Sequence, residues 1–257
     1  AQGAAAASVE QDYDPAPALW LLEDEDTRIY LLGTVHILPD GFRWRNPQLD
    51  AIIDEVDELV LESSDIDADA SIEHVSGKMV KLLTDRTPTS QQLSPAVRGK
   101  WRRLIEMSGQ PFDYVDQTPL MFALMGFGMT SVDFGPASYE HGVESVLERI
   151  FDETDRPISS IEDTGRVMIS LYRIDDNLVL GELEEDLRNW DGRDMEVFFG
   201  EIPDPADDAD WQLEHQWARG EVQDEMDFGI ENAKLALAFH RALLSSRNQR
   251  WSVWLDE

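Results

Sequence analysis

The chain of 257 residues contains no cysteine, so neither disulfides nor thiolate chemistry contribute to its fold or function. Positive charge is scarce as well: 21 Lys and Arg stand against 53 Asp and Glu, a formal net charge of −32. Such a surface repels phosphate backbones and anionic lipid headgroups, which argues against nucleic-acid partners and peripheral membrane binding. Long hydrophobic runs are missing too. The stretch "LMFALMGFGM" (120–129) is too short to span a bilayer. The N-terminal "AQGAAAASVEQDYDPAP" carries no basic or apolar leader. Its small-then-acidic composition is that of a tail left after signal-peptide removal, so an exported protein, periplasmic or extracellular, is expected.

What is present is a globular composition. Apolar residues make up 42% of the chain, with 8 Trp and 10 Phe, enough to build a large core and too many for a disordered protein. Residues 1–17 read as a disordered lead-in. After them, "ALWLLEDEDTRIYLLG" has the pattern of a hairpin, with strands at 18–23 and 27–33 and an acidic turn at 24–26. "NPQLDAIIDEVD" places a proline at a helix start ahead of apolar residues at helical spacing. "ELVLES" (58–63) is a short apolar strand. This β-α-β order predicts a parallel crossover.

Mainly helices follow, at roughly 67–84, 95–108, 118–131 and 142–154. "RPISSIE" (156–162) reads as another short strand, and helices resume near 163–173, 175–188 and 229–250. Residues 182–210 carry 12 acidic and 2 basic side chains, net −10. The later part, with "EIPDPADDAD", is therefore expected to be a solvated loop rather than a site. The fold class is α/β (α+β): a small mixed sheet with a parallel βαβ crossover, surrounded by many helices.

Three predicted strands each end near a residue able to bind a metal or move a proton: His36, Glu62 and Glu162. Ligands of open α/β sheets bind outside the carboxyl ends of the strands. The sequence thus predicts a shared crevice, with Gly33 freeing the backbone to turn ahead of His36. On the last helix, His240, Leu244, Arg247 and Trp251 recur at helical spacing after Leu237, a single stripe. An arginine on an apolar stripe needs an anionic partner, and Glu62 or Glu162 would serve. A structural ion pair anchoring the helix is the plain alternative to catalysis.

"ALWLLEDEDTRIYLLGTVHILP", "DELVLES", "HGVESVLERIFDETDRPISSIEDT" and "LLSSRNQRW" together resemble the TraB/PrgY/GumN family, related to the Tiki metalloproteases. The four segments match in order and spacing from about residue 18 to 254, consistent with a single domain over 18–257. The resemblance marks Gly33 and His36 of a G-x-x-H motif, Glu62, Gly142 with Glu144 where the family usually has Gly-x-Asp, Glu162, and Arg247 with Asn248. It implies a metal-dependent, peptidase-like hydrolase acting on a peptide or peptide-like substrate. His36 and Glu62 would hold a divalent ion such as manganese, zinc or cobalt, and Glu62, Arg247 and Asn248 would act in catalysis. It also implies a continuation beyond Glu257 into a strand and a second G-x-x-H; His141 and His240 do not match that motif. The alternative is a non-catalytic peptide-binding or regulatory protein, or an accessory of polysaccharide export, with the same fold. No G-x-S-x-G elbow, P-loop or H-E-x-x-H is present.

Overall fold

The computed structural model describes residues 9–63, 86–131, 137–162, 164–195, 211–222, 230 and 232–256. The helix expected at 67–84 and the "EIPDPADDAD" loop lie outside these residues. The chain divides into two compact units: Ala1–Leu61 with Phe134–Ser159 and Ile202–Met226, and Glu62–Asp133 with Ser160–Glu201 and Asp227–Glu257.

The first unit opens with the expected hairpin. Strand β1 (Leu19–Glu23) pairs antiparallel with β2 (Arg28–Leu32), with Leu21 opposite Tyr30 and Trp20 opposite Leu31. The turn closes because Asp24 Oδ1 accepts from the backbone N–H groups of Thr27 (2.8 Å) and Asp26 (3.2 Å), an Asx turn that explains the acidic residue at this point. Helix α1 (Pro47–Glu55) begins where the sequence signalled it. The Asn46 side chain accepts from Leu49 N at 2.9 Å, and proline at the first position costs no hydrogen bond.

Short strand β3 (Leu38–Pro39) pairs with β5 (Ala137–Ser138). Strand β4 (Leu59–Leu61) pairs with β6 (Ile158–Ser160). The mixed class with a parallel pair is as expected. Among the described residues β2 has β1 as its strand partner, and β4 reaches its partner β6 through a long, largely helical connection.

The core of this unit gathers Leu38, Phe42, Trp44, Ile53, Val143 and Phe151. Val143 and Phe151 belong to helix α6 (Val143–Glu153), whose apolar residues Val143, Leu147 and Phe151 recur every four positions on one face. Residues 9–17, read as a lead-in, are tied to this unit by specific bonds. Tyr13 Oη lies 2.6 Å from Nδ1 of the buried His215, and Ala16 N donates to Ala218 O at 2.7 Å.

The second unit is helical. Its helices are α2 (Thr89–Gln92), α3 (Arg98–Met107), α4 (Phe112–Gln117), α5 (Leu120–Ser131), α7 (Thr164–Tyr172) and α8 (Asp176–Asn189), then α10 (Ala233–His240) and α11 (Ser246–Leu255). Helix α9 (Gln212–Ala218) belongs to the first unit. Trp101, Leu104, Phe127, Leu183, Leu187 and Trp190 form the core of the second unit. The buried carboxylate of Asp116 is satisfied: it accepts from Ser90 N (2.7 Å), Ser90 Oγ (2.6 Å) and Trp101 Nε1 (2.9 Å).

The single long helix expected over 229–250 is broken by a π-helical turn, Arg241–Ser245, between α10 and α11. This corrects the expected stripe. Leu237 and His240 are exposed, whereas Arg247 and Trp251 are largely covered. A π turn takes more residues per revolution than an α turn, so the phase read from positions 237 and 240 does not carry through to 247. Among the described residues no helix is long and apolar enough to cross a membrane.

Candidate functional site

The predicted residues fall into two sets, each inside one unit. In the first unit β2 ends at Leu32 and the chain runs through Gly33 and Thr34 to His36. His36 Nδ1 lies 2.9 Å from Glu144 Oε1, at the start of α6, and the Thr34 hydroxyl donates to the same oxygen. The imidazole is mostly exposed (63%) and the carboxylate mostly covered (18% exposed). Burial is the largest single influence on Glu144 and pushes its carboxyl up. The hydrogen bonds from His36 and Thr34, with that of its own backbone and the charge of His36, together outweigh it and hold the group below the ordinary glutamate range. Glu144 is therefore ionised at neutral pH. Its second oxygen, Oε2, is buried, with no hydrogen-bond partner among the described residues.

Backbone geometry sets this pair. Val143 N donates to Val35 O at 3.0 Å, clamping the start of α6 onto the loop that carries His36. A Cβ on Gly142 would collide with the His36 carbonyl oxygen and lie 2.7 Å from its carbon. Only glycine permits that approach, which explains the glycine two residues before Glu144. Gly33 is different from expectation. No atom lies within 4 Å of a Cβ built there and its φ is not positive, so neither space nor conformation demands glycine. Its carbonyl accepts from Trp217 Nε1 at 2.8 Å.

In the second unit Arg247 meets both predicted glutamates. Its Nη2 contacts Glu62 Oε1, and its Nε lies 2.6 Å from Glu162 Oε2, an ion pair in which that N–H is not directed along a hydrogen bond. Arg250 Nη2 donates to Glu162 Oε1 at 3.2 Å. Glu162 is enclosed, with 4% of its side chain exposed. Arg247 Nη1 also donates to Leu243 O at 3.1 Å, covering a carbonyl of the π turn, and its guanidinium carbon sits 4.9 Å from the Trp251 ring centroid. Burial, and after it the charge of Arg250, push the Arg247 guanidinium down from its ordinary value, from a starting point so high that it stays charged. Asn248 is exposed.

Sequence reasoning missed two of these participants. Thr34 stands inside the "GTVH" motif and was passed over as spacing. Arg250 lies three residues after Arg247, on the same helical face, and that interval was the available signal.

The family model for TraB/PrgY/gumN matches residues 18–257. The chain belongs to the TraB/PrgY/gumN family. Comparison with curated proteins and with solved structures finds no match.

A divalent ion implied for a TraB/PrgY/gumN site has to find its donors. Among the described residues no group of three or more His, Asp or Glu side chains is placed to hold one. Glu62 and Glu162 face guanidinium groups, and two carboxylates against two guanidiniums give a locally neutral set that does not attract a cation. His36 fits better. A metal-bound histidine commonly hands its other ring N–H to a carboxylate, and Glu144 stands in that position. One such imidazole is not a ligand set, so the donor geometry of the described residues does not fit a resident ion.

Proposed function

We propose that this TraB/PrgY/gumN protein hydrolyses peptide-like bonds, with His36 as the group that moves the proton and Glu144 as the group that orients it. The observation that supports this reading most is the Nδ1–Oε1 contact of 2.9 Å between an exposed imidazole and a covered carboxylate. With Nδ1–H given to Glu144, the lone pair of the neutral ring is on Nε2. His36 then takes a proton from the attacking water as its oxygen adds to the carbonyl carbon. It returns that proton to the amine as the C–N bond breaks, leaving a carboxylic acid and an amine. Glu144, ionised throughout, stabilises the imidazolium that forms in between. Positioned proton transfer of this kind contributes about 10²–10⁴-fold in rate.

The test is hydrolysis of a peptide library after chelation, with and without added manganese, zinc or cobalt. Turnover lost in His36→Ala, with the fold retained, supports the proposal. Absence of cleavage under every condition overturns it. Turnover in the chelated protein that no metal improves separates proton transfer by His36 from metal assistance.

A second reading has its own observation. Arg247, which the resemblance places in catalysis, is held by Glu62 and Glu162. That arrangement favours a structural role for the arginine and, with it, a peptide-binding or export accessory protein that keeps the fold without turnover.

A further inference from the structure

We propose that Trp217 of α9 is a positioning residue for His36: its indole N–H holds the Gly33 carbonyl and thereby fixes the loop that presents the imidazole. Its effect on turnover rests on the hydrolase reading. Trp217 Nε1 donates to Gly33 O at 2.8 Å, across 184 positions of sequence and within the first unit.

Burial does not fix this loop. β2 ends at Leu32, and of the next four residues Gly33, Thr34 and His36 are exposed, while Val35 packs part-buried against the core. Polar ties have to set its path instead. Those from α6 fall on residues 34 to 36: Glu144 accepts from the Thr34 hydroxyl and from His36 Nδ1, and Val143 N donates to Val35 O. Trp217 supplies a tie at residue 33, where the ladder of β2 has ended, so the loop is held at its entry as well as along its length.

The donor suits the task. An indole side chain has two rotatable bonds, one N–H and no acceptor, so once packed it aims its proton in one direction. The Trp217 ring lies 6.4 Å from that of the buried Trp44 and packs at the edge of the core. The acceptor is an exposed carbonyl that water would also satisfy, so the bond adds little to stability. What it adds is position.

Helix α9 is itself braced by the segment 9–17. Ala218 O accepts from Ala16 N at 2.7 Å, Nδ1 of the buried His215 lies 2.6 Å from Tyr13 Oη, and a Cβ on Gly220 would lie 2.6 Å from Ala16 O. The same segment is tied to the start of α1, where Asn46 Nδ2 donates to Pro15 O at 3.0 Å. The brace thus runs from the N-terminal segment through α9 and Trp217 to the loop of His36.

The experiment records ring-nitrogen NMR shifts of His36 in the whole protein at alkaline pH, where the imidazole is neutral, with kcat and KM on a cleaved member of the peptide library. Three variants are compared: Trp217→Phe; benzothienylalanine at position 217, which keeps the indole's shape and has sulfur in place of the N–H; and Ile53→Val, which trims the same core from α1. An Nδ1–H tautomer that is fixed in the wild type and in Ile53→Val, and gives way to a mixture in both Trp217 variants, supports the proposal. In those variants kcat is expected to fall at least about tenfold with KM within about twofold, as when a reacting group is misplaced and substrate binding is left alone. The isosteric variant decides the matter if Trp217→Phe does not fold. An unchanged tautomer in it overturns the proposal, as does an equal change in Ile53→Val or an unchanged kcat. If the wild type cleaves nothing and the tautomer still depends on Trp217, the positioning stands and the hydrolase reading falls.

Discussion

A Cβ on Gly142 would collide with the carbonyl oxygen of His36. The glycine and the histidine are thus one unit of structure, and the space a side chain would occupy at 142 is taken by the backbone that presents the imidazole. Gly142→Ala is expected to push the two segments apart and to cost about 1–3 kcal/mol, the usual range for forced overpacking. Gly33→Ala, at a position with open space, is expected to stay within about 0.5 kcal/mol. Denaturant melts of both variants check the contrast, and equal losses would refute it.

Removing Arg247 leaves Glu162 enclosed with only part of its charge compensated. Arg247→Ala is expected to destabilise by about 3–5 kcal/mol, as for one partner taken from a buried ion pair. Arg247→Lys should recover only part of that, because an ammonium cannot reach Glu62, Glu162 and Leu243 O with a planar fork. Thermal unfolding of both variants checks this. Full recovery by lysine would show that charge alone matters.

Glu144 titrates below its ordinary range in the folded protein. A depressed acid contributes stability at pH values above its unfolded pKa, and that contribution is lost as pH falls through the folded pKa. Acidification from neutral through and below the usual glutamate range should therefore weaken the protein more than it weakens Glu144→Gln. Glu214, pushed up by burial, works in the opposite direction and is common to both proteins. Urea midpoints across that pH range decide the matter; parallel curves would sink the assignment.

Asp116 holds two donors of Ser90 and the indole N–H of Trp101 in the core of the second unit. Asp116→Ala leaves the Trp101 indole N–H buried and unpaired, at about 1–3 kcal/mol, while the part-buried Ser90 donors lose their acceptor. Near-wild-type stability in a urea melt would mean that water replaces the carboxylate.

The hairpin, α1, β4 and β6 were legible because local signals name them: an Asx turn at Asp24, a cap at Asn46, an apolar run at 59–61, and a short segment entered through Pro157 at 158–160. The link from Arg247 to Glu62 and Glu162 followed from the cost of an unpaired charge on an apolar stripe. The partner of His36 did not follow from spacing. Glu144 is distant in sequence, and what brings it near is a missing side chain at 142, which no periodicity records. The stripe of the final helix failed for a related reason. A π turn has no strong residue signature, so "HRALLSSRNQRW" reads as continuous α-helix.

That π turn sets the angular register of everything after it. Were one residue deleted within Arg241–Ser245, the segment would close into an ordinary α turn and the downstream helix would rotate by about 100°. Arg247, Arg250 and Trp251 would swing away from Glu162 together, with none of them mutated. The spare residue acts as a spacer in a dial: the length of this turn, rather than its composition, decides which face of the last helix reads the two glutamates.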